Sequence, residues 1–154
     1  MDAYEERLHL SIEQQGIAAE QLFFSGSCHS VREAADASGA AEDEFVKNIC
    51  MIGPDGQLIV AIVKGEDRAS TSRVGKALNI EPPRIAELAE VFEKTGYPCG
   101  GVPSFGYQAM FLIDPKVLES KIVYTGGGSE HSLIRIASAE LLRANGGTVA
   151  RIRK

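Results

Sequence analysis

Two apolar stretches, Glu44 to Ile52 and Gln57 to Lys64, are joined by Gly53-Pro54-Asp55-Gly56. Proline, aspartate and glycine supply the turn chemistry, so the segment predicts a β-hairpin. In Phe45-Val46-Lys47-Asn48-Ile49-Cys50-Met51-Ile52 successive side chains point to opposite faces of a strand. Lys47 therefore shares one face with Phe45, Ile49 and Met51, while Asn48 shares the other with Val46, Cys50 and Ile52. Both faces are otherwise apolar, the pattern of a central strand.

The rest of the chain surrounds this hairpin with helices and further strands. Tyr4 to Gln15 reads as an amphipathic helix, with Leu8 and Ile12 at i, i+4 and Gly16 as its stop. A strand is predicted over Gln21 to Ser25, and Ser30-Val31-Arg32-Glu33 has the form of a capping box opening a short helix that ends at Gly39. Helices are predicted over Ser70 to Leu78 and over Pro83 to Lys94, the second started by Pro82-Pro83. Gly96 to Gly106 is a glycine- and proline-rich loop. A strand (Ala109 to Ile113), a short helix opened by Asp114-Pro115 and a strand (Lys121 to Thr125) follow. After the Gly126-Gly127-Gly128 turn come a strand (Ser132 to Ala137), a helix capped by Ser138 and a last strand (Thr148 to Ile152). Strands outnumber what repeated βαβ units give, so the expectation is an α/β (α+β) fold with a mixed sheet and packed helices, in a single domain over 1–154.

Charge and cysteine content narrow the functions available. The net charge of −5 argues against a protein that coats nucleic acid non-specifically, since such binding depends on neutralising phosphates. It leaves room for one that grips only the end of an RNA. Positive charge recurs at Lys64, Arg68, Arg73 and Lys76, and again at Arg143, Arg151, Arg153 and Lys154; either group can also be a solvated face. Cys28, Cys50 and Cys99 form neither a CxxC pair nor a disulfide framework, which suits a reducing compartment. The acidic start Met1-Asp2-Ala3-Tyr4-Glu5-Glu6 is unlike a secretory leader, and no apolar run approaches the roughly 18 residues of a membrane span. A cytoplasmic location is expected.

Three features can carry chemistry. Burying the ammonium of Lys47 is costly unless something pairs with it, so this lysine reaches a cleft, neutralises a partner, or snorkels at a sheet edge. The paired glycines of Gly96-Tyr97-Pro98-Cys99-Gly100-Gly101-Val102-Pro103-Ser104-Phe105-Gly106 allow close backbone approach, and their N–H groups can converge on an oxygen anion. His131, after Gly126-Gly127-Gly128-Ser129-Glu130, can orient a substrate or move a proton, or simply lie on the surface. Sharper motifs fail. GxGxxG would need glycine at His131, and Walker A lacks its Ser/Thr after Gly75-Lys76. A nucleophile elbow would need glycine at Val102, and no ligand pair has zinc spacing. The adjacency of Cys28 and His29 says little by itself.

Phe45-Val46-Lys47-Asn48, Thr95-Gly96-Tyr97 with Gly100-Gly101-Val102, and Tyr124-Thr125-Gly126-Gly127-Gly128 followed by Leu133 together resemble the YbaK/aminoacyl-tRNA editing domain family, free-standing relatives of the editing insertion of bacterial prolyl-tRNA synthetase. The resemblance implies a mixed, partly barrel-like sheet surrounded by helices, and hydrolysis of small amino acids wrongly attached to tRNA, often tRNA for proline, with no cofactor or metal. It implies that Lys47, Gly100, Gly101 and His131 carry the reaction and that Asn48, Phe24, Val102, Ser104, Gly127 and Gly128 contact the substrate. The implied partner is the aminoacyl-tRNA acceptor end, with an aminoacyl-tRNA synthetase as a further candidate; neither membrane nor DNA is expected. Where the family loop often carries proline four residues after its first glycine, this chain has Ser104. Three alternatives remain: a non-catalytic tRNA- or synthetase-binding module, a hydrolase of small esters or thioesters, and a cysteine enzyme pairing Cys99 with His131. The small-ester alternative gains if Lys64, Arg68, Arg73 and Lys76 do not line the cleft that holds Lys47.

Overall fold

A computed structural model describes residues 1–154. The first helix, α1 (Ala3–Gln15), starts in a reciprocal cap: Asp2 accepts from the Glu5 amide, and the Glu5 carboxylate accepts from the Asp2 amide, both at 2.8 Å. It ends at Gly16 in the left-handed region, φ 61°. Leu8 and Ile12 are buried, as their spacing predicts, and so is Glu5.

Two sheets follow. The smaller, antiparallel throughout, runs β1-β7-β6 from β1 (Ala19–Phe23), β6 (Ile122–Gly126) and β7 (Ser132–Ala137). The larger has the order β4-β2-β3-β5-β8, built from β2 (Val46–Ile52), β3 (Leu58–Lys64), β4 (Arg84–Ile85), β5 (Met110–Ile113) and β8 (Thr148–Val149). Pairs β3/β5 and β5/β8 are parallel and the others antiparallel, so the sheet is mixed, as predicted. Every residue of the central strand β3 is buried. Its two faces feed two cores: Leu58, Val60 and Ile62 join the larger, and Ile59, Ala61 and Val63 the smaller. Strand β2 alternates the same way, with Val46 and Cys50 in the larger core and Met51 in the smaller.

The sheets do not close into a barrel. A single bridge, from Phe45 just before β2 to Tyr124 of β6, links the two sheets there, and the two rings also stack at 5.1 Å. On the outer edge of β2, strand β4 pairs only with Met51 and Ile52. The stretch of β2 that carries Lys47 and Asn48 therefore lies along an open seam.

Helices α2 (Val31–Ser38), α3 (Thr71–Leu78), α4 (Leu88–Thr95) and α5 (Ser138–Asn145) pack around the sheets. No helix is long and apolar enough to cross a membrane. Several sequence expectations shift. The predicted helix over Pro83 to Lys94 begins only at Leu88, because Arg84 and Ile85 are drawn into pairing with Ile52 and Met51. Arg84 then grips Glu90 through two 2.7 Å hydrogen bonds, tying this short strand to α4. Ser30 caps α2 by accepting from the Glu33 amide, without a return bond from Glu33. Ala137 takes the cap position of α5, and Ser138 is its first helical residue. The last strand stops at Val149, since the amides of Ile152 and Arg153 donate to the Asp114 carboxylate instead, each at 3.0 Å.

Candidate functional site

The seam between β2 and β6 opens into a cleft of about 380 Å³. Its walls are Val31 and Ala34 of α2, Ile85, Ala86, Leu88 and Val91 around α4, and Phe45, Tyr124 and Leu133 at the sheet end. Fifteen of its 22 lining residues are hydrophobic, and Lys47 is the only lysine or arginine among them. Lys47 has no carboxylate partner in the protein. Of the three readings open to it from sequence, reaching a cleft is the one observed. An ammonium in such walls favours an anion or a carbonyl oxygen acquiring negative charge, because the low surrounding polarity strengthens the attraction.

Asn48 organises the floor. Its amide nitrogen donates to the Val102 carbonyl and to Thr125 Oγ1, both at 2.9 Å, and its oxygen accepts from Ser104 Oγ at 2.7 Å. Ser104 and Thr125, both buried, also share a 2.7 Å hydrogen bond. Four groups from β2, β6 and the glycine loop thus satisfy one another across the seam, as buried polar groups must. Asn145 of α5 adds a 3.0 Å bond to the Ser104 carbonyl.

The glycines serve chain-on-chain packing. A Cβ on Gly101 would lie 2.5 Å from the Ser129 amide nitrogen, one on Gly126 would lie 2.1 Å from the Val102 carbonyl oxygen, and one on Gly127 would lie 2.4 Å from the Leu133 amide nitrogen. The glycine loop therefore lies directly on the 126–129 turn, and Gly128 donates to the Gly101 carbonyl at 2.8 Å. Gly128 itself has φ +103° and abuts the backbone of Tyr4 and Glu5 in α1. The expectation that both loop amides converge on an anion needs correction, since the Gly101 amide donates to the Pro98 carbonyl at 2.9 Å. The Gly100 amide has no protein acceptor.

Of the residues singled out from sequence, Lys47, Asn48, Gly100 and Val102 line the cleft, while Ser104, Gly101, Gly127 and Gly128 lie in or beneath its floor. His131 and Phe24 do not line it. They border a separate hollow with Asp2, Glu5 and Ser129, where His131 Nδ1 lies 2.9 Å from the Gly26 carbonyl. The Glu5 carboxyl there is raised by burial, but the Asp2 amide and the hydroxyls of Ser129 and Ser132 outweigh this and hold it below its usual value. Adjacent residues of the 129–131 turn point to opposite sides, so it is Glu130 that approaches the cleft: its Cγ is 3.2 Å from where a Gly100 Cβ would be.

His29 also lines the cleft, next to Gly100, as do the walls from α2 and α4, and none of these is marked by a catalytic or binding motif in the sequence. The His29 signal was the Cys28-His29 pair, which only the fold can place. Lys64, Arg68, Arg73 and Lys76 do not line the cleft. Lys64 is buried and donates to Ser120 at 2.5 Å, while Arg143 and Arg153 pair with Glu140 and Asp114, each at 2.6 Å. The thiols differ: Cys99 is exposed, whereas burial, aided by the nearby Cys99, pushes the Cys50 thiol up to about 12. No group of three or more His, Cys, Asp or Glu side chains gathers as a metal site.

A family model described as aminoacyl-tRNA editing domain matches residues 25–144. The crystal structure of a candidate trans-editing enzyme for prolyl tRNA synthetase is similar, with a TM-score of 0.91 and 27% identity over 100% of this chain and 99% of that one. The uncharacterized protein YwhH of Bacillus subtilis is 25% identical over 120 residues, 77% of this chain and 76% of its own length. The proline–tRNA ligase of Acidithiobacillus ferrooxidans is 29% identical over 84 residues, covering 54% of this chain but only 14% of the ligase.

Proposed function

Because the chain belongs to the aminoacyl-tRNA editing domain family, we propose that it hydrolyses the ester of mischarged aminoacyl-tRNA, acting in trans on a small amino acid, with tRNA for proline as the first candidate. The observation that carries this reading is an unpaired Lys47 in an apolar cleft whose glycine-loop floor is fixed by Asn48, Ser104 and Thr125. An aminoacyl ester is already activated, so water can attack it without a covalent enzyme intermediate. What the site must supply is orientation and stabilisation of the developing oxyanion, for which one donor is typically worth about 3–4 kcal/mol. Lys47 would hold the ester or phosphate oxygens, and the Gly100 amide is free to support the carbonyl. The apolar walls suit a small uncharged side chain. Such correction is needed because one methylene gives a synthetase only about 1–3 kcal/mol of discrimination.

The test is deacylation of tRNAs charged with Ala, Cys, Ser, Thr and 2-aminobutyrate, including mischarged tRNA for proline, with wild type beside Lys47→Ala and His131→Ala. Hydrolysis of one or two members, lost in folded Lys47→Ala, supports the reading. No hydrolysis by folded wild type refutes it and favours an accessory binding module. A second reading, hydrolysis of a small ester or thioester, is favoured by the absence of Lys64, Arg68, Arg73 and Lys76 from the cleft. It predicts turnover of free aminoacyl esters at rates equal to those of the tRNA esters.

A further inference from the structure

We propose that His29 is the proton-transfer group of this cleft and that Glu130 is its positioning residue; the proposal rests on the deacylase reading above. Three segments meet at His29. The 24–29 stretch is fastened to the turn after β6 by backbone bonds, from the Phe24 amide to the His131 carbonyl and from the Cys28 amide to the Glu130 carbonyl. The His29 amide is held in turn by Ser27 Oγ at 3.2 Å. This brings His29 Nδ1 to 3.6 Å from Glu130 Oε1. That is an ion-pair contact longer than a hydrogen bond, of the kind that commonly tightens when substrate fills a site. The glycine loop supplies the third segment, since a Cβ on Gly100 would lie 2.2 Å from His29 Nδ1. Glycine at 100 therefore leaves room for the imidazole at the edge of the cleft.

The chemistry fits a histidine whose Nδ1 faces a carboxylate. Glu130 favours the tautomer with the proton on Nδ1, leaving Nε2 as the acceptor. As a water oxygen bonds to the ester carbon, its proton passes to Nε2. The bond from that carbon to the ribose oxygen then breaks, and the imidazolium returns the proton to the ribose oxygen, releasing a free amino acid and a free hydroxyl. No further reactant is required. The ionisable groups around His29 are Cys28 and Glu33 on its own side, Glu130 from the turn, Cys99 from the glycine loop and Lys47 from β2. Of these, only Glu130 lies at ion-pair distance from the ring.

The experiment is single-turnover deacylation of mischarged tRNA from pH 5 to 9 by wild type, His29→Ala, His29→Gln and Glu130→Gln, with circular dichroism to confirm folding. His29 and Glu130 are each about half exposed, so the variants should fold. The expected result is a wild-type rate that falls on the acid side, and a loss of about 100-fold or more with that limb removed in both His29 variants. Glu130→Gln should slow the step at saturating enzyme while leaving the half-saturating concentration unchanged, with part of the rate restored in Glu130→Asp, because the carboxylate only holds the ring. Gly100→Ala should mimic His29→Ala by displacing the ring. His29 variants within about threefold of wild type at every pH would overturn the proposal and leave the deacylase reading standing, as would a loss of rate with an unchanged pH profile. A folded wild type without any hydrolysis overturns both.

Discussion

Asn48 offers the sharpest test of how the cleft floor is built. Asn48→Ala removes three hydrogen bonds, to Val102, Thr125 and Ser104. At about 1 kcal/mol net for each, the loss is about 3 kcal/mol. Two effects reduce it: Ser104 and Thr125 keep their mutual 2.7 Å bond, and the cleft admits water to the Val102 carbonyl. The expected destabilisation is about 2–3 kcal/mol, or about 4–12 °C in Tm for a chain of this size. Thermal unfolding followed by circular dichroism reads this directly. Double-mutant cycles with Ser104→Ala should give a coupling energy of about 0.5–3 kcal/mol, since the two side chains share one network. Deacylation should fall further than stability accounts for, because the loop carrying Gly100 and Val102 is fastened through this residue. A Tm within about 1 °C of wild type together with additive effects in the cycle would refute the argument.

Gly101→Ala should cost about 1–3 kcal/mol, since the added methyl meets backbone of the 128–129 turn rather than a side chain that can swing away; denaturant unfolding measures it. Asp114→Asn should destabilise by about 3 kcal/mol, because the carboxylate accepts from the amides of Lys116, Ile152 and Arg153 and from the Arg153 guanidinium. Burial raises the Asp114 carboxyl, but those donors outweigh it and hold it below its usual value. Its contribution is therefore complete above the ordinary carboxylate range and is lost as pH falls through its folded value; urea titrations at falling pH should show a shallower acid loss in the variant. Cys99→Ser should retain deacylation, whereas a thiol nucleophile would be abolished by the change. Mild alkylation should mark Cys99 and spare Cys50, as peptide mass analysis would show.

The hairpin and its two-sided burial were legible because β2 and β3 are apolar on both faces, and only a strand inside a protein can use such a pattern. The segment after Pro82 was misread because proline at a helix start is a strong local signal, while pairing of Arg84 and Ile85 with the far end of β2 is tertiary. The site divided in the same way. Lys47 stood out because a lone charge in an apolar strand demands an explanation. Which histidine lies at the cleft could not be read, for it depends on how the 24–29 stretch is fastened to the 129–131 turn. That backbone pairing directs Glu130 toward the cleft and His131 away from it.

The packing of the glycine loop on the 126–129 turn also bears on how relatives of this protein can change their preference. Where Gly101 and Gly126 lie, two stretches of backbone touch with no side chain between them, so this part of the floor has no side chain to exchange. Beside the Asn48, Ser104 and Thr125 side chains, a shift in what the cleft accepts can come from its walls, at Val31, Ala34, Ile85, Leu88 or Val91. Those wall residues belong to two helices and a short edge strand, and α4 leads straight into the glycine loop, with Thr95 Oγ1 donating to the Val91 carbonyl and accepting from the Tyr97 amide. The backbone-on-backbone contact is thereby the part that must stay fixed, and the side chains around it are the part free to diversify.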